Sequence, residues 1–326
     1  MLELVCPAGT PAALRTAVDA GAHAVYCGFA DETNARNFPG LNFSRAELQT
    51  GIAYARGKGA KVLVAINTFP RAGAAALWHR AVDDAAALGA HAVILADMGL
   101  LAYAAEKHPG LRRHLSVQAA AANADAITFY VAEFGVKRVV LPRVLSVEEI
   151  AIINRDIACE TEVFVFGGLC VMAEGRCSLS SYATGKSPNM NGVCSPASHV
   201  VYQQEGEGLS ARLGGFTIQR VGTGEAAPYP TLCKGCFTAG NYQGHVFEDP
   251  VSLDAADLIP RLAEAGVTAL KIEGRQRSRA YTEAVVKAFR AAVDAHAAGR
   301  PIPAGVLQNL TEGQRSTAGA YKKSWR

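Results

Sequence analysis

The chain has 326 residues, half of them apolar and 19% charged, so it can bury a large core and a disordered chain is excluded. Its 32 basic and 29 acidic residues give a net charge of +3 and do not gather into one basic face, so no nucleic-acid partner is predicted. No run approaches the roughly 18 to 20 apolar residues of a membrane span, and the N-terminus lacks the pattern of a secretory signal. We therefore expect a cytoplasmic protein without a membrane span, in which thiols stay reduced.

Short apolar strands alternate with helices along most of the chain. Thr10-Pro11 supplies an N-cap and a proline for the first helix, and Ser44 and Ser146 each begin a capping box with a glutamate three residues later. The predicted strands cover residues 2–6, 24–28, 61–66, 92–96, 115–118, 138–141, 162–166 and 268–272. Eight apolar strands separated by helices predict an α/β fold of the (β/α)8 TIM-type barrel class.

A long segment rich in glycine, serine and cysteine separates the seventh and eighth predicted strands. Residues 200–203 and 216–221 in it are predicted to form short strands. The predicted organisation is barrel strands 1–7 in 1–166, a cysteine-rich, β-containing lobe in 167–250, strand 8 and a closing helix in 251–300, and a C-terminal tail in 301–326. The tail is predicted to be a solvated chain end.

Polar side chains follow several of the predicted strands. In a (β/α)8 barrel the carboxyl ends of the strands form one rim, and ligand sites lie there. We expect these side chains to line one pocket, with Cys170 close by: Asn67, Asp97, Gln118, Arg143, Glu273 and Arg275.

Five of the eight cysteines lie in the lobe, at positions 170, 177, 194, 233 and 236. Thiolates in a reducing compartment suit a structural zinc or an iron–sulfur cluster, and scattered reduced thiols are the third possibility. Spacing does not decide between the metals, although the single C-x-x-C pair favours a cluster, because zinc sites more often have two. The other cysteines lie in or beside apolar strands and are predicted to be packing residues: Cys6, Cys27 and Cys159.

The pattern E-x-F-x-x-G-x-L-C-x4-G-x-C-x-L-S, from Glu162 to Ser180, resembles the signature of the collagenase-like family of unassigned peptidases, peptidase family U32. Gly168 departs from it, since the family usually has serine or alanine there. The resemblance extends over nearly the whole chain and is strongest to a family member of anaerobic ubiquinone biosynthesis. The segments that carry it are 4–9, 33–36, 65–69, 116–119, 139–146, 229–235 and 267–278.

The resemblance implies a [4Fe–4S] cluster on Cys170, Cys177, Cys194 and Cys233. Cys236 falls where the similar protein has no cysteine and is the second-choice ligand. The implied activity is O2-independent hydroxylation of a ubiquinone precursor, with prephenate as oxygen donor, a homologous subunit in a heterodimer, and a lipid-carrying accessory protein. A dicarboxylate donor needs guanidinium groups, so Arg36, Arg143 and Arg275 are candidate ligands, together with Asn67, Gln118 and Glu273 on the same rim.

Three alternatives remain open. Other family members hydroxylate tRNA or rRNA bases, which predicts a basic groove with aromatic side chains that this sequence does not obviously contain. The family name suggests a peptidase, but no nucleophile, base and orienting group can be assembled from the sequence. In the last alternative, the chain is not catalytic and carries a cluster for another subunit that holds the active site.

Overall fold

The computed structural model describes residues 2–170, 172, 174–225, 227, 229–303, 307, 310–311 and 315–322. Eight parallel strands form a closed sheet, because each pairs with the next and the eighth pairs with both the seventh and the first. They are β1 (Glu3–Pro7), β2 (Ala24–Cys27), β3 (Lys61–Ile66), β4 (Ala92–Leu95), β5 (Arg112–Leu115), β6 (Arg138–Val140), β7 (Glu160–Gly168) and β14 (Ala269–Ile272). The predicted (β/α)8 barrel is confirmed.

Helices connect the barrel strands, and the predicted start signals position them. The Thr10 hydroxyl caps the first helix by accepting from the Ala13 N–H at 3.1 Å, and both capping boxes, at Ser44 and Ser146, are present. The helices are α1 (Pro11–Asp19), α2 (Arg45–Gly57), α3 (Ala76–Ala87), α4 (Met98–Lys107), α5 (Ala124–Phe134), α6 (Val147–Asp156), α9 (Ile259–Glu264) and α10 (Arg279–Ala297). Within the described ranges, no helix is both long and apolar enough to cross a bilayer.

Strand β5 occupies 112–115 rather than the predicted 115–118. The sequence there is polar, yet Arg113 is buried and donates from Nε to the Phe134 carbonyl at 2.7 Å. After Leu115, the Ser116 hydroxyl accepts from the Gln118 N–H at 3.3 Å and the chain turns into a short 3-10 helix. Gln118 therefore lies in the turn after the strand and not at its end.

The cysteine lobe, residues 167–250, contains the predicted β structure between barrel strands seven and eight. A three-stranded antiparallel sheet and a separate hairpin lie in it, together with two short helices. These elements are α7 (Leu179–Thr184), α8 (Pro188–Asn191), β8 (Val200–Glu205), β9 (Gly208–Leu213), β10 (Phe216–Val221), β11 (Cys236–Ala239) and β12 (Tyr242–His245). Strand β13 (Ser252–Asp254) then pairs antiparallel with the end of β7 and returns the chain to the barrel.

The described part of the C-terminal segment is not a solvated end. Strand β15 (Ser316–Thr317) pairs with β13, and Tyr321 is 3% exposed, with its hydroxyl donating to the Phe164 carbonyl. The expectation for these residues is wrong, because the Tyr321 ring supplies apolar surface that the barrel buries.

The barrel interior is apolar on one side and charged on the other. On β1 to β4 and on part of β14 it is lined by small and apolar residues: Val5, Ala24, Tyr26, Leu63, Ala65, Ala92, Ile94 and Ala269. On β6, β7 and β14, by contrast, Arg138, Glu162 and Lys271 are buried. The sequence, which was interpreted as near-continuous apolar strands, did not reveal this charged layer.

Candidate active site and metal centre

A cavity lies at the carboxyl ends of the barrel strands, where a (β/α)8 barrel places its ligand sites. Its enclosed volume is about 60 Å³, and it opens at a mouth. The side chains predicted for the pocket line it together: Arg36, Asn67, Gln118, Arg143, Glu273 and Arg275. Asp97 does not line it; its carboxylate caps α4 by accepting from the Leu100 N–H at 3.0 Å.

One wall of the cavity is held by hydrogen bonds between loops that follow different strands. Asn67 accepts from the Ala35 N–H at 3.0 Å and donates to the Ser116 hydroxyl at 3.2 Å. Arg275 Nη1 donates to Asn34 Oδ1 at 2.8 Å. These bonds fix the loop after β2, so that the guanidinium groups of this wall are positioned before any ligand binds.

Glu273 is held where β7 leaves the barrel. Its Oε2 accepts from the Gly168 N–H at 3.0 Å, and a Cβ at position 168 would lie 3.3 Å from that oxygen. Burial raises the pKa of Glu273, but the charges of Arg36 and Arg143 and the Gly168 hydrogen bond outweigh burial and leave the pKa below its usual value. Glu273 is therefore a carboxylate at neutral pH.

Arg143 forms a buried ion pair with Glu174. Its guanidinium also lies over the Phe164 ring, with Cζ 3.4 Å from the ring centroid, a cation–π arrangement. Glu174 belongs to the cysteine lobe and Arg143 follows β6, so the pair joins the lobe to the barrel.

Lys271 forms the floor of the cavity. Its Nζ donates to Glu162 Oε1 at 2.5 Å and lies 3.9 Å from the Tyr26 ring centroid. Burial lowers the pKa of Lys271, and the Glu162 charge opposes this only in part. Glu162 also pairs with Arg138 at 3.3 Å, which connects the floor to the charged layer below.

The cavity has an excess of positive charge. Its lining includes four cations, Arg36, Arg143, Lys271 and Arg275, and two carboxylates, Glu174 and Glu273, while Glu162 neutralises Lys271 from below. Burial, together with the charge of Arg36, lowers the pKa of Arg275 to about 10, although the Glu273 charge opposes the shift. Because the cations of the lining outnumber its carboxylates, the cavity is suited to an anion.

Glu174, Lys271 and Tyr26 also line the cavity, and the sequence did not single them out. Glu174 lies inside the family signature, between two cysteines, at a position that the pattern leaves unspecified. Lys271 is a lone charge within an otherwise apolar strand, a signal that was available in the sequence. Nothing in the sequence distinguishes Tyr26 from other strand residues. In the structure its hydroxyl donates to the Ile272 carbonyl at 3.0 Å.

Two of the lobe cysteines are partly buried thiols with raised pKa values. Burial, with the neighbouring cysteines as smaller causes, raises the pKa of Cys233 to about 12. Burial, with the Glu174 charge as the next cause, raises the pKa of Cys170 to about 11. Cys236 lies in the β11–β12 hairpin, opposite His245.

In the described ranges, no three His, Cys, Asp or Glu side chains lie close enough together to hold a metal ion. The chemistry of the thiols nevertheless fits a thiolate-ligated metal centre, since four thiolates are the ligand number of both a [4Fe–4S] cluster and a structural zinc ion. Thiols whose pKa is raised also need a positive metal centre in order to ionise.

The lobe that bears the cysteines lies against the cavity, since its residue Glu174 lines the cavity and pairs with Arg143 there. Two lobe glycines make the close contact with the barrel possible. A Cβ at Gly175 would lie 2.0 Å from the Gln118 carbonyl oxygen, and one at Gly192 would lie 2.7 Å from the Asn34 carbonyl oxygen.

Fold and site together define a (β/α)8 barrel with a cation-rich cavity at the carboxyl ends of its strands and a cysteine-bearing lobe beside that cavity. Residues 9–320 match the family described as Peptidase family U32. The chain belongs to this family, and the resemblance noted in its signature is confirmed.

Several curated relatives align with most of the chain. It is 33% identical to the tRNA hydroxylation protein P of Escherichia coli (strain K12), over 94% of this chain and 71% of that protein. It is 31% identical to the tRNA hydroxylation protein P1 of Bacillus subtilis (strain 168), over 91% of this chain and 64% of that protein. It is 28% identical to the 23S rRNA 5-hydroxycytidine C2501 synthase of Escherichia coli (strain K12), over 90% of this chain and 39% of that protein.

Proposed function

We propose that this chain is the iron–sulfur subunit of an O2-independent hydroxylase that acts on the aromatic ring of a ubiquinone precursor. The observation that carries the proposal is the contact between the cysteine-bearing lobe and the cation-rich cavity. Glu174 of the lobe lines the cavity and pairs with Arg143, and Gly175 packs on the Gln118 carbonyl. The lobe that bears the cysteines thus forms part of the cavity wall. The hydroxylation named in the relatives supports the reaction class. The substrate is supported by the resemblance to the family member of anaerobic ubiquinone biosynthesis, UbiU.

Prephenate is the proposed oxygen donor. It carries two carboxylates, and the cavity offers Arg36, Arg143 and Arg275, whose planar groups bind carboxylates in a bidentate manner. Arg143 Nε is buried and has no hydrogen-bond partner among the described residues, so it has a donor free for an anion.

The proposed cofactor is a [4Fe–4S] cluster held by Cys170, Cys177, Cys194 and Cys233, which would supply electron transfer when bound. The protein residues have separate roles. Arg143 and Arg275 bind and orient the donor, Glu273 holds the Arg36 and Arg143 charges in place, and Tyr26 with Phe164 provides apolar walls beside the cations.

We propose that the chain acts in the cytoplasm as a heterodimer with a homologous UbiV-like subunit and receives its substrate from a lipid-carrying accessory protein. Aromatic side chains exposed on the lobe offer a surface for such partners. Tyr182 is 78% exposed, and its ring centroid lies 5.6 Å from that of Phe216, which is also exposed. Exposed aromatic residues of this kind are enriched at protein interfaces.

Hydroxylation of an RNA base is the second candidate, and the names of the relatives favour it. A net charge of +3 with interspersed acidic residues favours a small-molecule substrate instead. A peptidase is less well supported. The hydroxyl groups in the cavity lining are those of Tyr26 and Ser116, and no histidine is among the described lining residues. A non-catalytic role does not account for the positioned cations of the cavity.

The test is to delete the gene and profile quinones and RNA in the same anaerobically grown cells. We expect loss of ubiquinone and accumulation of a precursor that lacks a ring hydroxyl, with RNA hydroxylation unchanged. The wild-type gene should restore ubiquinone, whereas Arg275→Met should restore much less, because it removes a guanidinium from the cavity. Normal ubiquinone together with an RNA base that lacks its hydroxyl would instead establish the second candidate.

A further inference from the structure

Three buried polar atoms on the residues that line the cavity have no hydrogen-bond partner among the described residues: Arg143 Nε, Glu174 Oε2 and Gln118 Oε1. Arg143 is 8% exposed and Glu174 is 5% exposed. A buried polar atom without a partner destabilises the folded state, so such atoms in native proteins are normally met by a ligand or a water. The three atoms together indicate which hydrogen-bonding groups a ligand of this cavity must carry.

The three atoms require different hydrogen-bond partners. Arg143 Nε is a donor, which a carboxylate satisfies. Glu174 Oε2 and Gln118 Oε1 are acceptors, which a carboxylate cannot satisfy. A ligand ammonium group would satisfy acceptors, but the four cations of the lining oppose it. A neutral hydroxyl donates a hydrogen bond without adding positive charge.

We infer that Glu174 and Gln118 recognise a hydroxyl group of the anionic ligand, so that the cavity selects a hydroxylated dicarboxylate over the same dicarboxylate without its hydroxyl. This inference rests on the proposed function and specifies it: the group that is recognised is the alcohol of the oxygen donor. Glu174 and Gln118 are, in this assignment, specificity-determining residues that touch the ligand.

The position of Glu174 is fixed by the surrounding structure. The next residue, Gly175, has a φ of +80° and packs directly on the Gln118 carbonyl, and its own carbonyl accepts from Asn189 Nδ2 at 3.0 Å. Glu174 Oε1 is occupied by the ion pair with Arg143. Oε2 has no partner among the described residues, and Glu174 and Gln118 both line the cavity, so a hydrogen bond from a ligand to this charged acceptor would be of the stronger class.

The test measures binding of two ligands to the anaerobically purified full-length chain with its cofactor in place. The probes are prephenate and deoxyprephenate, which keeps both carboxylates but has hydrogen in place of the ring hydroxyl. We expect the wild-type protein to bind prephenate at least about tenfold more tightly, the size expected for one hydrogen bond to a charged acceptor. In Glu174→Met, the ratio of the two affinities should fall severalfold toward 1, and Gln118 accounts for any ratio that remains.

The ratio, rather than either affinity, is the readout. Glu174→Met also frees Arg143 from its partner and alters the binding of any anion, but that effect is common to both ligands and cancels in the ratio. Gln118→Met is the second variant. It removes the whole amide, leaves the Arg143–Glu174 pair intact, and should reduce the ratio severalfold even if Glu174→Met fails to fold.

The outcomes separate the two proposals. If neither ligand binds the wild-type protein, the proposed donor is wrong and the inference is overturned with it. If both bind equally well, water satisfies the two acceptors, and the inference is overturned while an anion site remains. A tenfold ratio that persists in Gln118→Met, and in Glu174→Met where that variant folds, would place the hydroxyl elsewhere and overturn it too.

Discussion

Cys233→Ala is expected to purify without the visible absorbance that we expect of the anaerobically prepared wild-type protein. Cys233 lies in the short turn 232–234, is partly buried and is one of the four proposed cluster ligands. Removing one of four thiolate ligands would leave an iron without its protein ligand, and we expect iron and sulfide content to fall to near zero. The measurements are the visible spectrum and the iron and sulfide content per chain.

Cys236→Ala is the matched control, because it removes a neighbouring thiol of the same C-x-x-C pair. Cys236 lies in the β11–β12 hairpin, and this variant should retain full absorbance. The opposite pattern, with Cys236→Ala colourless and Cys233→Ala brown, would show that the ligand set implied by the family resemblance is wrong. A colourless wild-type protein with stoichiometric zinc would exclude the cluster altogether.

Glu162→Gln is expected to destabilise the barrel by about 3 to 5 kcal/mol, the usual cost of removing one member of a buried ion pair. Glu162 has a fully buried side chain and pairs with Lys271 at 2.5 Å and with Arg138 at 3.3 Å. The substitution leaves Lys271 buried in the cavity floor without its carboxylate. The free energy of unfolding, measured by denaturant titration, is the readout.

Glu148→Gln provides the comparison for this change. Glu148 also forms an ion pair, with Arg261 at 2.5 Å, but its side chain is 67% exposed. Solvent screens an exposed pair, so its loss should cost no more than about 1 kcal/mol. Equal effects of the two substitutions would show that the interior charges do not stabilise the barrel.

The barrel was predictable from sequence because its strands are apolar and its helices carry strong local start signals. Ser44 and Ser146 form capping boxes within four residues of chain, and such local signals need no tertiary information. Strand β5 was misplaced for the opposite reason. Arg113 satisfies its guanidinium with backbone carbonyls, one of them that of Phe134, 21 positions along the chain, and such a contact is not visible in the sequence pattern.

The predicted rim residues were brought together because the fold was correctly predicted and a parallel barrel gathers its strand ends. Glu174 and Lys271 were not predicted to line the cavity, because their partners lie on distant segments of the chain. The partner of Glu174 is Arg143, on a different part of the barrel rim, and that of Lys271 is Glu162, 109 positions away along the chain. Pairs that form only when distant segments pack are not visible in local spacing, although a lysine in an apolar strand is a usable warning.

An isotope experiment tests whether the hydroxyl oxygen of prephenate is transferred to the aromatic ring of the ubiquinone precursor. The chain, its homologous partner and the lipid-carrying protein would be incubated anaerobically with a ubiquinone precursor and with prephenate labelled with oxygen-18 in its hydroxyl. We predict a hydroxylated product that carries the label, with no product when Arg275→Met replaces the wild-type chain. An unlabelled hydroxyl in the quinone product, or label that enters an RNA base while the quinone precursor stays unchanged, would contradict the account.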